Sequence, residues 1–359
     1  MNNSLFQYLI VFFLLPLINN PAHGQNGGMH PEKQIKYVTQ QLKNKQERYT
    51  IAYQELLQFA DKAIGKPDHS LADFSVPGYY QDAVGHRTNS RSLQSDAFDA
   101  YALALAYRLS NEKKYAQHAI RFLNAWAYKN EKYSEADGSL VMAYSGTAMV
   151  MAADLIKNSK EWKKADKDQF DKWVTMVFRK ACNEIRNRKN NWADWGRLGS
   201  ILTAAYLNDQ DEIQENIRLI KSDLFDKIAD DASMPHETRR GNNGIWYTYF
   251  SLAPITAACW IAYQSTGENI FSLSQGNRSL KSAMDYLYHY NLHPDEWTWF
   301  EGPNVGSPAK WPGALFEAMA GIYNEPRYSA YAEKGRPIVY DTHHFAWTFP
   351  TLMPVRLSY

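Results

Sequence analysis

From about residue 32 to residue 322, the apolar positions of this chain recur at helical spacing, and alternating strand patterns are few. Segment 96–109 is rich in Ala and Leu, both strong helix formers. Ser110-Asn111-Glu112 interrupts it, and 113–128 resumes with Tyr115, Ala119, Phe122, Leu123 and Trp126 on one helical face. This predicts a helical hairpin with a short turn. Segments 141–157 and 162–188 predict a second pair, and 195–207 with 210–229 a third; 245–265, 278–291 and 309–323 predict further helices. In 195–207, Leu198, Leu202, Ala205 and Tyr206 fall at i, i+4, i+7 and i+8, the stripe of a core-facing helix. Antiparallel pairs recurring at roughly forty residues predict an all-α repeat architecture. Without a consensus repeat motif, a closed or incomplete (α/α) toroid of antiparallel helix pairs fits better than an open solenoid.

Residues 66–95, with Pro67, Pro77, Gly78 and Gly85, read as a long loop, as do 292–313 and the tail after Pro337. Long loops in a compact domain are often functional. Residues 1–24 read as an export signal: Leu9 to Leu17 is an apolar core, and Ala22-His23-Gly24 offers small residues for cleavage before Gln25. A membrane anchor is the alternative, but that run is well short of the ~20 residues a span needs. The expectation is a secreted or periplasmic protein with one toroid domain over 25–359, free of the membrane after cleavage and monomeric.

Among 359 residues, 39 basic and 38 acidic side chains leave a net charge of +1, so nothing favours nucleic acid as a partner. Cys182 and Cys259 both lie in helical, apolar contexts, and either a disulfide or two buried thiols is compatible with that. Aromatic residues make up 14% of the chain, including 24 Tyr and 11 Trp. Their apolar faces and polar tips suit core packing, and equally a carbohydrate cleft where sugar rings stack.

Two clusters carry candidate chemistry. Asn190-Asn191-Trp192 precedes an apolar helix, and His236-Glu237-Thr238-Arg239-Arg240 followed by Trp246-Tyr247 precedes another. Together they supply an amide, guanidiniums, an imidazole and a phenol. That set suits β-elimination of a 4-linked uronate, whose C5 proton is lost only if the carboxylate charge is offset. A base must reach C5 and an acid the C4 oxygen; one Tyr can do both when proton and leaving group share a face. Locally, Asn190-Asn191 is equally a helix N-cap, Arg239-Arg240 a solvated turn, and Tyr247 a core aromatic.

Asn190-Asn191-Trp192 with Trp195 and its Ala/Leu-rich helix resembles the Asn-Asn-His motif of the alginate lyase superfamily, which opens a helix of an (α/α) toroid. Glu237-Thr238-Arg239-Arg240 through Tyr247 resembles that family's Glu-x-x-Arg…Tyr element, and segments 93–128 and 311–317 are similar to it in the same order. The resemblance implies a polysaccharide lyase acting on alginate or a glucuronan-like polymer. It implies that Asn191 neutralises the carboxylate, Arg240 holds the carboxylate or tunes the phenol, and Tyr247 is the acid and perhaps the base. Trp192 stands where the family has His, so His236 becomes the expected base unless Tyr247 makes both transfers. Tyr80, His86, Arg91, Gln94, Trp192, Arg239 and Trp311 are expected to bind the anionic polysaccharide. No cofactor is expected, and no metal, because adjacent His343-His344 are poorly placed to chelate one ion together. Two other functions compete: a glycoside hydrolase using two of Asp194, Glu237 and Glu301 across a cleft, and a catalytically inactive glycan-binding protein.

Overall fold

The structure is a computed structural model that describes residues 28–359, so the expected export signal lies outside the described residues. Fourteen α-helices are assigned among them. Four long ones form an inner wall: α3 (Ala83–Ser110), α5 (Gly138–Ile156), α8 (Asn191–Leu207) and α11 (Gly244–Thr266). Each packs against the next, α3 on α5, α5 on α8 and α8 on α11. Other helices return outside them: α2 (Glu47–Ile64) and α4 (Lys113–Lys129) on α3, α7 (Arg179–Ile185) and α9 (Gln210–Lys227) on α8, and α12 (Leu280–Leu292) on α11. This is the expected helical toroid.

The sequence pattern of each layer follows from what it touches. The outer helix α4 buries Tyr115, Ala119, Phe122, Leu123 and Trp126, the expected face. In α5, by contrast, every residue except Asp154 is buried. A helix that is apolar all round belongs in the core of a large protein. Gly138–Ile156 and Gly241–Thr266 are each long and apolar enough to cross a membrane, but 94% and 89% of their apolar windows are buried within the fold. Cys182 and Cys259 are buried free thiols and not a disulfide.

Two loop expectations change. The 66–95 segment ends as helix from Ala83, because Asp82 caps α3 by accepting a hydrogen bond from the Gly85 N–H at 2.8 Å. Its first three turns carry polar residues toward an open cleft, so no apolar period betrays them. The remainder of that segment is pinned by β1 (Asp73–Ser75) pairing in parallel with β2 (Lys132–Ser134). The tail after Pro337 is irregular as expected, yet its residues 343–355 are nearly all buried. The Phe345 N–H bonds the Tyr144 carbonyl at 3.0 Å, Trp347 Nε1 donates to Thr256 Oγ1 at 3.0 Å, and Phe349 packs on Phe98 and Tyr101. The tail therefore packs between the inner helices α3, α5 and α11.

Candidate active site

A cleft of about 960 Å³ opens at one end of this scaffold. Its walls are the start of α8, the start of α11, the first turns of α3, and the tail around His343. Nine of the eleven residues expected to act or bind there do line it: Tyr80, His86, Arg91, Gln94, Asn191, Trp192, Arg240, Tyr247 and Trp311.

Asn190 is the N-cap of α8, in extended conformation, but its side chain makes no capping bond. The capping role passes to Glu237, on the short helix α10 (Pro235–Thr238). One Glu237 oxygen accepts the Asn191 backbone N–H at 2.6 Å, and the other accepts Asn191 Nδ2 at 2.7 Å. A carboxylate at a helix N-terminus is favoured by the free N–H groups there. The Asn190 amide is thus released, with its buried Oδ1 lacking a partner, and Asn191 is held from behind. Burial pushes the Glu237 carboxyl up to about 7; Asn191 opposes this, Asp194 adds to it and Arg240 opposes it.

Tyr247 sits in the first turn of α11. Its hydroxyl is hydrogen-bonded to that of Tyr80 at 2.8 Å. The Arg240 guanidinium lies 4.1 Å from the centre of its ring and donates to Tyr80 Oη at 3.2 Å. Burial raises the Tyr247 phenol, as does the Tyr80 hydrogen bond, while Arg240 opposes the shift. At rest Tyr247 is a protonated phenol, able to act as an acid.

His86, Ser90 and Gln94 follow at i, i+4 and i+8 on α3, with Arg87 and Arg91 beside them in the cleft. His86 Nε2 lies 3.4 Å from Asp137 Oδ2; burial lowers the imidazole, with Asp137 opposing. Trp192 stands at the expected histidine position with the Arg188 guanidinium 3.8 Å from its ring centre. The cleft is consequently lined by four arginines (Arg87, Arg91, Arg188, Arg240) against one carboxylate, Asp137.

His236 and Arg239, expected at the site, are placed elsewhere. Both are exposed and neither lines the cleft. Their short helix turns Glu237 and Thr238 inward, which leaves the residues on either side pointing out. Arg239 rests over Trp299 at 5.2 Å. The carboxylates a hydrolase would need are also misplaced. Asp194 is buried against Lys227 Nζ and Ser251 Oγ, Glu237 lies behind Asn191, and Glu301 is exposed outside the cleft.

Sequence reasoning missed His343. The tail bends at Thr342 and His343, and the two adjacent imidazoles lie side by side with ring centres 4.4 Å apart, His344 deeper and His343 nearer the surface. His344 is buried against Tyr249 Oη at 2.9 Å, while His343 lines the cleft. Its ring lies parallel to Trp246, 6.2 Å away, and its carbonyl accepts from Ser145 Oγ at 2.9 Å. Burial lowers the imidazole to about 4, so it is neutral at ordinary pH. Periodicity gives no signal for such a residue, because the tail lacks regular structure.

Fold and cleft together define a helical-toroid polysaccharide lyase. The chain belongs to the alginate lyase family, whose model matches residues 34–297. It is 25% identical over 296 residues to a polysaccharide lyase of Stenotrophomonas maltophilia (strain K279a), covering 73% of this chain and 87% of that protein. The fold resembles an alginate lyase from Bacteroides ovatus with a TM-score of 0.70, at 20% identity over 90% of this chain and 98% of that one. It also resembles an alginate lyase from Sphingomonas species A1 with a TM-score of 0.73, at 14% identity over 91% and 95% of the two chains.

Proposed function

We propose that the protein cleaves a 4-linked uronic-acid polymer by β-elimination in this cleft. The observation that carries the reading is the convergence of Asn191, Arg240 and Tyr247 in a cleft with four arginines and one carboxylate. The arginines draw in a polyanion. Asn191 and Arg240 offset the charge of the substrate carboxylate as its C5 proton leaves, which stabilises the enolate-like intermediate. Tyr247 donates a proton to the C4 oxygen as the C4–O bond breaks and the C4–C5 double bond forms. With Trp192 in place of a histidine, the imidazoles facing the cleft are His86 and His343. Of these, we assign the C5 proton to His343, held neutral by burial at about 4. An acid pushed up and a base pushed down in one cleft is the pattern that separates the two roles.

A second reading rests on the Tyr80–Tyr247 hydrogen bond. Tyr247, its proton relayed through the exposed Tyr80 hydroxyl as Tyr80 releases its own to water, takes the C5 proton as a phenolate and then gives it to the departing C4 oxygen. A single residue suffices only where the C5 proton and C4 oxygen share a face, as in mannuronate and glucuronate; guluronate requires a second base.

The test is ultraviolet absorbance of the new conjugated double bond on polymannuronate, polyguluronate, glucuronan and a neutral glucan. The expected result is a rise on at least one uronan, none on the glucan, and loss of turnover by roughly 10²–10⁴-fold in Tyr247→Phe. His343→Ala separates the two readings, being inactive under the first and active on mannuronate or glucuronate under the second. Undiminished turnover in Tyr247→Phe removes that residue from the chemistry. We also propose export to the periplasm or medium, on the strength of the apolar run in residues 9–17 and the small residues that follow it.

A further inference from the structure

We propose that Glu237 is a positioning residue of the elimination, its carboxylate setting the orientation of the Asn191 amide against the substrate. The proposal rests on the lyase reading and deepens it. Glu237 and Asn191 are each 1% exposed, and the two hydrogen bonds between them measure 2.6 and 2.7 Å. An amide can present either its oxygen or its nitrogen to a neighbour, since the two ends are nearly isosteric. An ionised carboxylate accepts only, so it removes that ambiguity. Asn191 Nδ2 must turn toward Glu237, and its second N–H is then left for the cleft. The same carboxylate takes the Asn191 backbone N–H, so the side chain and the helix end are fixed as one unit.

The contact also spans the two halves of the site. Asn191 begins α8, whereas Glu237 lies three residues before Arg240 and ten before Tyr247. Setting Asn191 by Glu237 thereby places it relative to both. The charged and titratable groups facing Glu237 are Asp194 from α8, Arg240 from the following turn and Tyr247 from α11. Lys227 from α9 is engaged by Asp194. A protonated Glu237 carries one donor and loses one acceptor site, so the Asn191 amide is no longer held in one orientation. Turnover is expected to rise with pH through the titration of this group, whose carboxyl burial pushes up to about 7.

The experiment measures kcat and KM from pH 5.5 to 9 on the uronan that the wild type cleaves, for the wild type, E237Q, E237D, N191A and the N191A/E237Q double variant. Loss of orientation at a reacting group costs up to about 10²-fold for a displacement near 1 Å. The expected result for E237Q is a kcat lowered by roughly 10–100-fold, with KM within about threefold and the acid limb near neutrality gone. E237D, which keeps the charge, retains the limb. Because Glu237 acts through Asn191, the double variant is no slower than N191A alone. Wild-type kcat and pH profile in E237Q overturn the proposal. So do additive losses in the double variant, or a loss that tracks the unfolded fraction in a thermal melt. A wild type inactive on every uronan overturns the lyase reading itself, an outcome distinct from an active wild type beside an equally active E237Q.

Discussion

Replacing Lys227 with Met tests whether Asp194 is a structural charge or a reacting one. The Lys227 ammonium and the Asp194 carboxylate form an ion pair with side chains 6% and 1% exposed, and Ser251 Oγ holds the second carboxylate oxygen at 2.5 Å. Methionine fills the same space without the charge, leaving Asp194 with one hydroxyl as its partner. Removing one member of a buried pair costs about 3–5 kcal/mol, because the survivor stays buried and uncompensated. Unfolding entropy of about 2.1 cal/mol/K per residue gives roughly 0.7 kcal/mol/K for a chain of this size, so Tm should fall by about 4–7 °C. The assay is calorimetry alongside lyase turnover at 20 °C or below. Turnover per folded molecule should survive, since Lys227 lies outside the cleft. Adding Asp194→Asn should return part of the lost stability, because the orphaned charge goes with it. An unchanged Tm in Lys227→Met refutes the reasoning. An Asp194→Asn variant with full stability and no activity would place that carboxylate in the chemistry.

Glu237 also links stability to pH. Its folded value is raised from 4.5 to about 7, so the folded state holds the proton more tightly. The associated stability is fully present below about pH 4.5 and is lost as pH rises to about 7, in total roughly 3 kcal/mol. Urea unfolding at pH 5 and pH 8 should show that loss in the wild type and its absence in Glu237→Gln; equal pH dependence in both would contradict it. Arg91 and Arg188 make no ion pair among the described residues, so Arg91→Ala or Arg188→Ala should raise KM several-fold with kcat little changed. KM of the wild type should climb with added salt, and a salt-independent KM would count against the polyanion reading. His236→Ala should leave kcat and KM at wild-type values, whereas His343→Ala should lower kcat; the reverse result in steady-state assays would make His236 the base.

Much of the architecture is legible because it is local. The stripe of 113–128 is the face that α4 buries, and period alone reports which side of an amphipathic helix meets the core. Helix α8 is instead buried on every side from Ala193 to Tyr206, so its stripe marks a helix but not a face. The residue types of the site were legible too, since Asn191, Arg240 and Tyr247 sit at helix starts where a cleft opens. Direction was not. Whether His236 or Glu237 faces inward depends on how one short helix meets α8, and neighbouring residues in a turn differ by a rotation that no period records. The first turns of α3 read as loop because their exposed face borders the cleft and carries no apolar signal.

The sequence by itself determined the helical repeat, because that depends on side-chain type and near-neighbour spacing, and its resemblance to the alginate lyase family pointed to a polysaccharide lyase and to three of the residues proposed to act. Only the tertiary structure decided that the C-terminal tail packs between the inner helices and brings His343 to the cleft, and that Glu237 holds Asn191. Those contacts join segments far apart along the chain, and their free energy exists only once the toroid has brought them together.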